Sequence, residues 1–164
     1  MIEIYPAGIE EKPLIARMMQ LYLYDFSEFT GDDLDAEGLY DPGYLDRYWE
    51  EYGRYPFLIR VQGKLAGFVL VNSHQVLPGS GHSIAEFFVM KKYRRQGVGR
   101  LAAFRIFDRF EGKWEVHEIP ENLPAQAFWR LIIDEYTDGK FEDTYNRSEG
   151  WIGPIQSFQS GKKP

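Results

Sequence analysis

Apolar and polar positions along this chain repeat in two periods, and the switches between them mark its elements. Residues 2–5 alternate with period two until Pro6 closes them, which predicts a short strand. From residue 9 to about 29, Leu14, Ile15, Met18, Met19, Leu21 and Tyr22 recur at helical spacing, and Thr30-Gly31-Asp32-Asp33 ends the run. A loop rich in Gly, Asp and Tyr over 38–43 leads into a second short helix over 44–52. Its one face carries Leu45, Tyr48 and Trp49, and Gly53 stops it. Residues 57–61 and 65–71 are strand-like and joined by Gln62-Gly63-Lys64, a hairpin signal. After a loop over 72–81 come an apolar strand over 84–90, a helix over 97–110 ended by Glu111-Gly112, and a strand over 114–119. Asn122 then caps a helix running to about 136, with Pro124 in its first turn and Ala125, Phe128, Trp129, Ile132 and Ile133 on its buried face. Runs at 141–145 and 151–158 predict a closing antiparallel pair, and 161–164 a frayed tail.

This order of elements predicts an α/β (α+β) architecture: a mixed, mostly antiparallel central sheet flanked by helices. No repeat or linker interrupts it, so a single domain over 1–164 is expected. The absence of Cys excludes disulfides and thiolate chemistry. Glu3, Glu10 and Glu11 lie early and no long apolar segment follows, so neither a signal peptide nor a membrane span is expected and the cytoplasm is the default location. A net charge of -6 argues against nucleic-acid binding and would suit a cationic substrate such as an amine.

Against that acidic background, Arg94-Arg95-Gln96-Gly97-Val98-Gly99-Arg100 stands out, with Lys91 and Lys92 just before it. Between a strand and a helix, it places two glycines in the helix's opening turn. The first N–H groups of a helix have no partner within it, and the dipole favours an anion there. Glycine lets a ligand approach that backbone closely. The pattern therefore points to a phosphate-bearing ligand. Gly97-Val98-Gly99 with Ala102 also fits a dinucleotide fingerprint, with Glu118 at the ribose-binding distance. However, a hairpin precedes the glycines and too little chain follows for a doubly wound sheet. Scattered His residues without close spacing make a metal site unexpected.

The stretch Val89-Met90-Lys91-Lys92-Tyr93-Arg94-Arg95-Gln96-Gly97-Val98-Gly99 resembles the acyl-CoA site of the GNAT superfamily of N-acetyltransferases, whose signature is R/Q-x-x-G-x-G/A. Arg94, Gly97 and Gly99 stand on its fixed positions. Asn122 with Ala125, Phe128 and Trp129 resembles the second family motif, an Asn opening a helix that ends in Phe-Tyr. The resemblance implies the GNAT-like acyl-CoA N-acyltransferase fold, acetyl-CoA as co-substrate, no metal, an amine acceptor (small molecule or peptide) and a possible homodimer. It implies that the N–H groups of Gln96, Gly97, Val98, Gly99 and Arg100 cradle a pyrophosphate ringed by Arg94 and Arg95. Phe88 and Val89 would lend main-chain groups to the pantetheine arm in a gap between the 84–90 and 114–119 strands. Asn122 would bond that arm, and Phe128 and Trp129 would wall it.

Amine acetylation needs a base, because a free lysine-type ammonium titrates near ~10.4. Glu86, which interrupts an apolar strand, is the first candidate; His82, His117 and Glu118 follow. A main-chain N–H at Phe88 or Val89 would serve the oxyanion. Where the family commonly has an acidic Tyr, Trp129 stands, whose indole keeps its proton at neutral pH. Tyr136 or Tyr24 would take that role, or the thiolate would leave unaided. Tyr22, Tyr24, Asp25 and Glu28, at the end of the first long helix, are the expected substrate side. A binding module that senses acyl-CoA without turnover is the alternative from another class.

Overall fold

The computed structural model describes residues 1–79 and 81–161; the expected frayed tail beyond Gly161 lies outside the described residues. Seven strands form one sheet: β1 (Ile2–Pro6), β2 (Arg54–Val61), β3 (Lys64–Asn72), β4 (His82–Val89), β5 (Gly112–His117), β6 (Phe141–Asn146) and β7 (Gly153–Ser160). Their spatial order is β1-β2-β3-β4-β5-β7-β6. Neighbours are antiparallel except β4 and β5, which run parallel. The mixed, mostly antiparallel sheet read from the element order is the one observed.

Helix α1 (Lys12–Thr30) covers one face and helices α2 (Val98–Arg109) and α3 (Leu123–Thr137) the other. On the α1 face Ile15, Met18 and Met19 pack on Leu58, Phe68, Leu70 and Phe88. On the opposite face Val98, Ala102, Ile106, Phe107, Trp129, Ile132 and Ile133 pack on Val69, Val71, Ile84, Trp114 and Phe158. The rings interlock there. Phe107 meets Trp114 edge-on at 5.0 Å and Phe158 at 4.8 Å between centroids, arrangements that add to simple burial.

Local chemistry sets the boundaries. The long first helix begins at Lys12 rather than residue 9, because Pro13 fits the first turn and the 3-10 turn Ile9–Glu11 precedes it. Gly31, at φ 75, ends α1 by returning its N–H to the Ser27 carbonyl at 2.8 Å. The expected second helix is a 3-10 turn, Leu45–Trp49, that still buries Leu45 and Tyr48 against the sheet. β2 starts at Arg54, three residues earlier than the apolar run suggests, because Pro56 offers its carbonyl to the Ala7 N–H at 2.9 Å. β4 starts at His82 and is interrupted by a bulge: Leu70 of β3 pairs with Glu86 but Val71 pairs with Ile84, leaving Ala85 extra.

That bulge and the parallel pairing together open the molecule. β4 and β5 stay in register only at His82↔Trp114, Ser83↔Glu115 and Ile84↔Val116. Beyond Ile84 the two strands separate, β4 toward the cationic loop and β5 toward Asn122. A wedge-shaped gap with unpaired backbone on both sides is the result.

Candidate functional site

The α2 N-terminus stands at one side of this wedge. After Val89 the chain makes a 3-10 turn over Lys91–Tyr93, then passes through left-handed backbone at Arg95 (φ 60) and Gly97 (φ 78) before entering the helix. A Cβ on Gly97 would point into open space, so conformation alone favours glycine there. Gly99 is different. Its Cβ would lie 3.2 Å from Phe128 Cζ, so it admits the Phe128 ring against the first turn of α2. The Gly97 carbonyl accepts from Leu101 at 3.0 Å. Among the described residues no protein acceptor takes the N–H groups of Gln96, Gly97, Val98, Gly99 or Arg100. Five donors thus converge on one exposed turn, an anion cradle in the physical sense.

The cations around it are not equivalent. Arg94 folds back: its Nε donates to the Val89 carbonyl at 2.7 Å and its Nη2 to Asp25 at 3.0 Å, over the Phe88 ring. Asp25 also meets Lys91 at 3.5 Å. Arg94 and Asp25 therefore form a strut joining the end of β4 to α1, which corrects both expectations: Asp25 faces the loop's cations, not an acceptor. Arg100 is forked onto Glu135 of α3. Arg95 is exposed with no carboxylate partner among the described residues.

Across the wedge, Asn122 is buried, caps α3 and accepts the Ala125 N–H at 3.1 Å. The bond uses Oδ1 and leaves the Nδ2 protons for another partner. Gln126, which the pattern did not single out, donates to the carbonyls of Ile119 and Pro120 and fixes the turn from β5 into α3. Phe128 is half-buried; Trp129 is buried, edge-on to Phe87 at 4.9 Å and within the α2/α3 core. Trp129 is thus a core ring in this chain.

Which main-chain groups of β4 face the gap follows from the ladder. The Met90 N–H donates to the Ala66 carbonyl at 2.7 Å, so even-numbered β4 residues after the bulge direct their N–H and C=O at β3. The Phe88 carbonyl indeed sits where a Cβ on Gly67 would be. Phe88 is therefore not a gap-facing residue, a second correction. The groups turned to the gap belong to Phe87 and Val89, and the Val89 carbonyl is already held by Arg94.

Glu86 shares the α1 face with Leu70 and lies near Tyr22 and Tyr48 of that face. The Tyr22 hydroxyl lies near it, while Tyr48 stands close enough to feel its charge and has the Arg54 guanidinium over its ring at 5.4 Å. Asn72 accepts from Ser83 at 2.7 Å. Burial raises the Glu86 carboxyl from 4.5 to about 7, against the opposing influence of the nearby Tyr22 hydroxyl. Burial first, then the Glu86 charge, pushes the Tyr22 phenol well above its usual range. Tyr48 and Asn72 carried no local signal beyond apolar periodicity and a strand end.

The remaining candidates scatter. Tyr24 is exposed and Glu28 lies further along the same helix end, away from Glu86. Tyr136 sits at the far end of α3, on the opposite face of the sheet from Glu86. Its hydroxyl donates to Asp108 at 2.7 Å and its ring packs on Phe104, Phe107 and Phe158. It cannot serve the gap; that expectation is corrected. His82 lies between Phe110 and Trp114. Glu118 is buried on the α3 face, while His117 follows Val116 on the α1 face, at the first open position of β5.

Residues 16–131 match the model of the Acetyltransferase (GNAT) family. No curated protein sequence matches the chain. Among solved structures, an acetyltransferase from Thermus thermophilus superposes with a TM-score of 0.69 at 14% identity, covering 98% of this chain and 97% of that one. A GNAT-family acetyltransferase from Staphylococcus aureus gives 0.65 at 14% identity over 97% and 99%. An N-acetyltransferase from Thermoplasma acidophilum, solved in complex with coenzyme A, gives 0.59 at 13% identity over 98% and 99%. At these identities the superpositions speak for the fold, and the family model for descent: this chain belongs to the GNAT acetyltransferase family.

Proposed function

We propose that the chain is an acetyl-CoA-dependent N-acetyltransferase that moves the acetyl group directly to a primary amine. The observation that carries this reading is the conjunction of five unpaired N–H groups at the α2 mouth with the β4/β5 wedge and a half-buried carboxylate on β4. The residues fit the co-substrate: the Gln96–Arg100 turn suits a diphosphate, Arg95 adds charge, and the Phe87 and Val89 edge with Asn122 Nδ2 suits the amides of a pantetheine arm. Acetyl-CoA, when bound, supplies an activated thioester. Glu86, with its carboxyl raised to about 7, would take the amine proton at neutral pH. Main-chain N–H groups of Phe87 or Val89 would stabilise the developing oxyanion. The structure of the Thermoplasma acidophilum relative with coenzyme A supports the ligand class.

The test is a thiol-release screen with acetyl-CoA over polyamines, amino acids, aminoglycosides and peptide N-termini, alongside thermal shifts with CoA and NAD(H). Stabilisation by CoA with amine-dependent thiol release is expected. CoA binding without release from any amine would favour an acyl-CoA sensor, and NAD(H) binding without CoA binding would overturn the reading.

A further inference from the structure

His117 occupies the β5 position that faces the bulge of β4 across the mouth of the wedge. Register ends at Ile84↔Val116, so the next residues on the two strands are Ala85 and His117. Trp114 and Val116 point into the α2/α3 core, which puts Glu115 and His117 on the α1 face. Glu86 lies on that same face across the gap. His117 is not loose there. Glu115, fully buried, accepts the N–H groups of Val76 and Leu77 and meets His117 Nε2 obliquely at 3.1 Å. The Trp151 indole stacks on the imidazole at 5.3 Å between centroids, tilted by 28°. The side chain is 15% exposed with Nε2 buried, so its Nδ1 edge is the one left toward the opening.

A buried carboxylate with two backbone donors has no freedom to move. Burial alone would raise Glu115, yet the His117 contact and the Val76 and Leu77 N–H groups together hold it below its usual range. An ionised Glu115 at 3.1 Å from Nε2, without an aligned hydrogen bond, favours a proton on that nitrogen by charge and leaves Nδ1 for chemistry. Trp129 is buried in the core and its indole keeps its proton, and the Tyr136 hydroxyl is engaged by Asp108 on the opposite face of the sheet.

We propose that His117, oriented by Glu115 and shelved by Trp151, protonates the departing thiol in the acyl transfer; this rests on the acyl-CoA reading above. The amine nitrogen bonds the thioester carbon while Glu86 accepts its proton. The carbon–sulfur bond then breaks, sulfur keeps the electron pair, and the Nδ1 proton of imidazolium passes to it. His117 leaves the step neutral and recovers a proton from solvent, and Glu86 releases its own. The products are an N-acyl amine and CoA thiol.

The chain has three histidines, so ring-nitrogen NMR can resolve each one. With CoA as probe, the His117 ring signals are expected to shift while those of His82, between Phe110 and Trp114, stay in place. Glu115→Gln should loosen the Nε2–H tautomer. His117→Gln should lower acetyl-CoA thiol release by about 10²-fold, as expected for loss of a positioned acid, with CoA affinity unchanged. His117 signals indifferent to CoA, while the amides of Gln96–Arg100 respond, would overturn the assignment and leave the co-substrate site standing. An undiminished rate in folded His117→Gln would overturn it too. Silence from both His117 and those amides would instead remove the acyl-CoA reading beneath it.

Discussion

Glu118→Gln should make this protein more stable, and increasingly so as pH rises. Glu118 is 4% exposed, and neither carboxylate oxygen has a hydrogen-bond partner. Its neighbour Gln156 is fully buried, donates Nε2 to Asp143 at 3.1 Å and has Oε1 unpartnered. Ionised, Glu118 adds two more unpaired acceptors to that corner; protonated, it can donate to Gln156 Oε1. Burial accordingly raises it from 4.5 to about 8, although Gln156 and Arg130 act in the opposite direction.

The sign follows from linkage. Between pH 4.5 and 8 the unfolded chain has released the proton and the folded chain still holds it, so stability falls as pH rises. It is fully present below the lower value, and the loss levels off above the higher one. Each pH unit costs about 1.4 kcal/mol, so from pH 5 to 8.5 the native state loses roughly 4 kcal/mol through this one group. That is a large share of the ~5–15 kcal/mol typical of a domain. In Glu118→Gln the amide can donate to Gln156 Oε1 and carries no charge, so the variant escapes the loss. Urea unfolding of both proteins at pH 5, 6, 7 and 8.5 reads the difference directly. The variant's advantage should grow by about 3–5 kcal/mol across that range. A difference independent of pH would refute the reasoning, because Glu86 and every other titrating group is common to both proteins and cancels.

Two further outcomes follow from the geometry. Glu86→Gln should cut turnover by at least about 10²-fold and leave CoA affinity in place. The acid-side limb of the wild-type rate profile should be set by the Glu86 carboxyl, which works only when ionised and titrates at about 7; that limb should be absent in the variant, as pH–rate profiles will show. Gly67→Ala should destabilise the fold by about 2 kcal/mol or more, read as a fall in denaturation midpoint. Its Cβ would collide with the Phe88 carbonyl, part of a backbone that cannot turn aside.

The order of elements was legible because each carries its own period and stop signal. Asn122, Pro124 and the glycines at 31 and 97 announced helix ends in chemistry that acts over one turn. Glu86 was legible as a charge within an apolar strand. The polar neighbours that define its setting were not, since Tyr22 comes to it from α1 and Tyr48 from the 45–49 turn. Asp25 and Arg94 lie 69 positions apart, and nothing local marks them as a pair. The bulge at Ala85 is equally silent, yet it sets which residues of β4 present main-chain groups to the gap. Glu115 and His117 could have been read as neighbours on one strand face from their spacing of two; that Glu115 is buried and clamped by the 76–77 backbone could not.

The N-terminus of α2 as the seat of a diphosphate is the claim on which the functional reading stands, and titration calorimetry of CoA against Gly97→Glu tests it most directly, with Gly97→Ala beside it. Both variants bear the cost of left-handed backbone at φ 78, about 1 kcal/mol, and neither Cβ meets an atom within 4 Å. Only the glutamate adds a negative charge beside the cradle, where each phosphate charge at ~4 Å repels it by at least about 1 kcal/mol. CoA binding is expected to be at least about 30-fold weaker in Gly97→Glu than in Gly97→Ala, in a protein that remains folded. Equal CoA affinity in the two variants would contradict it.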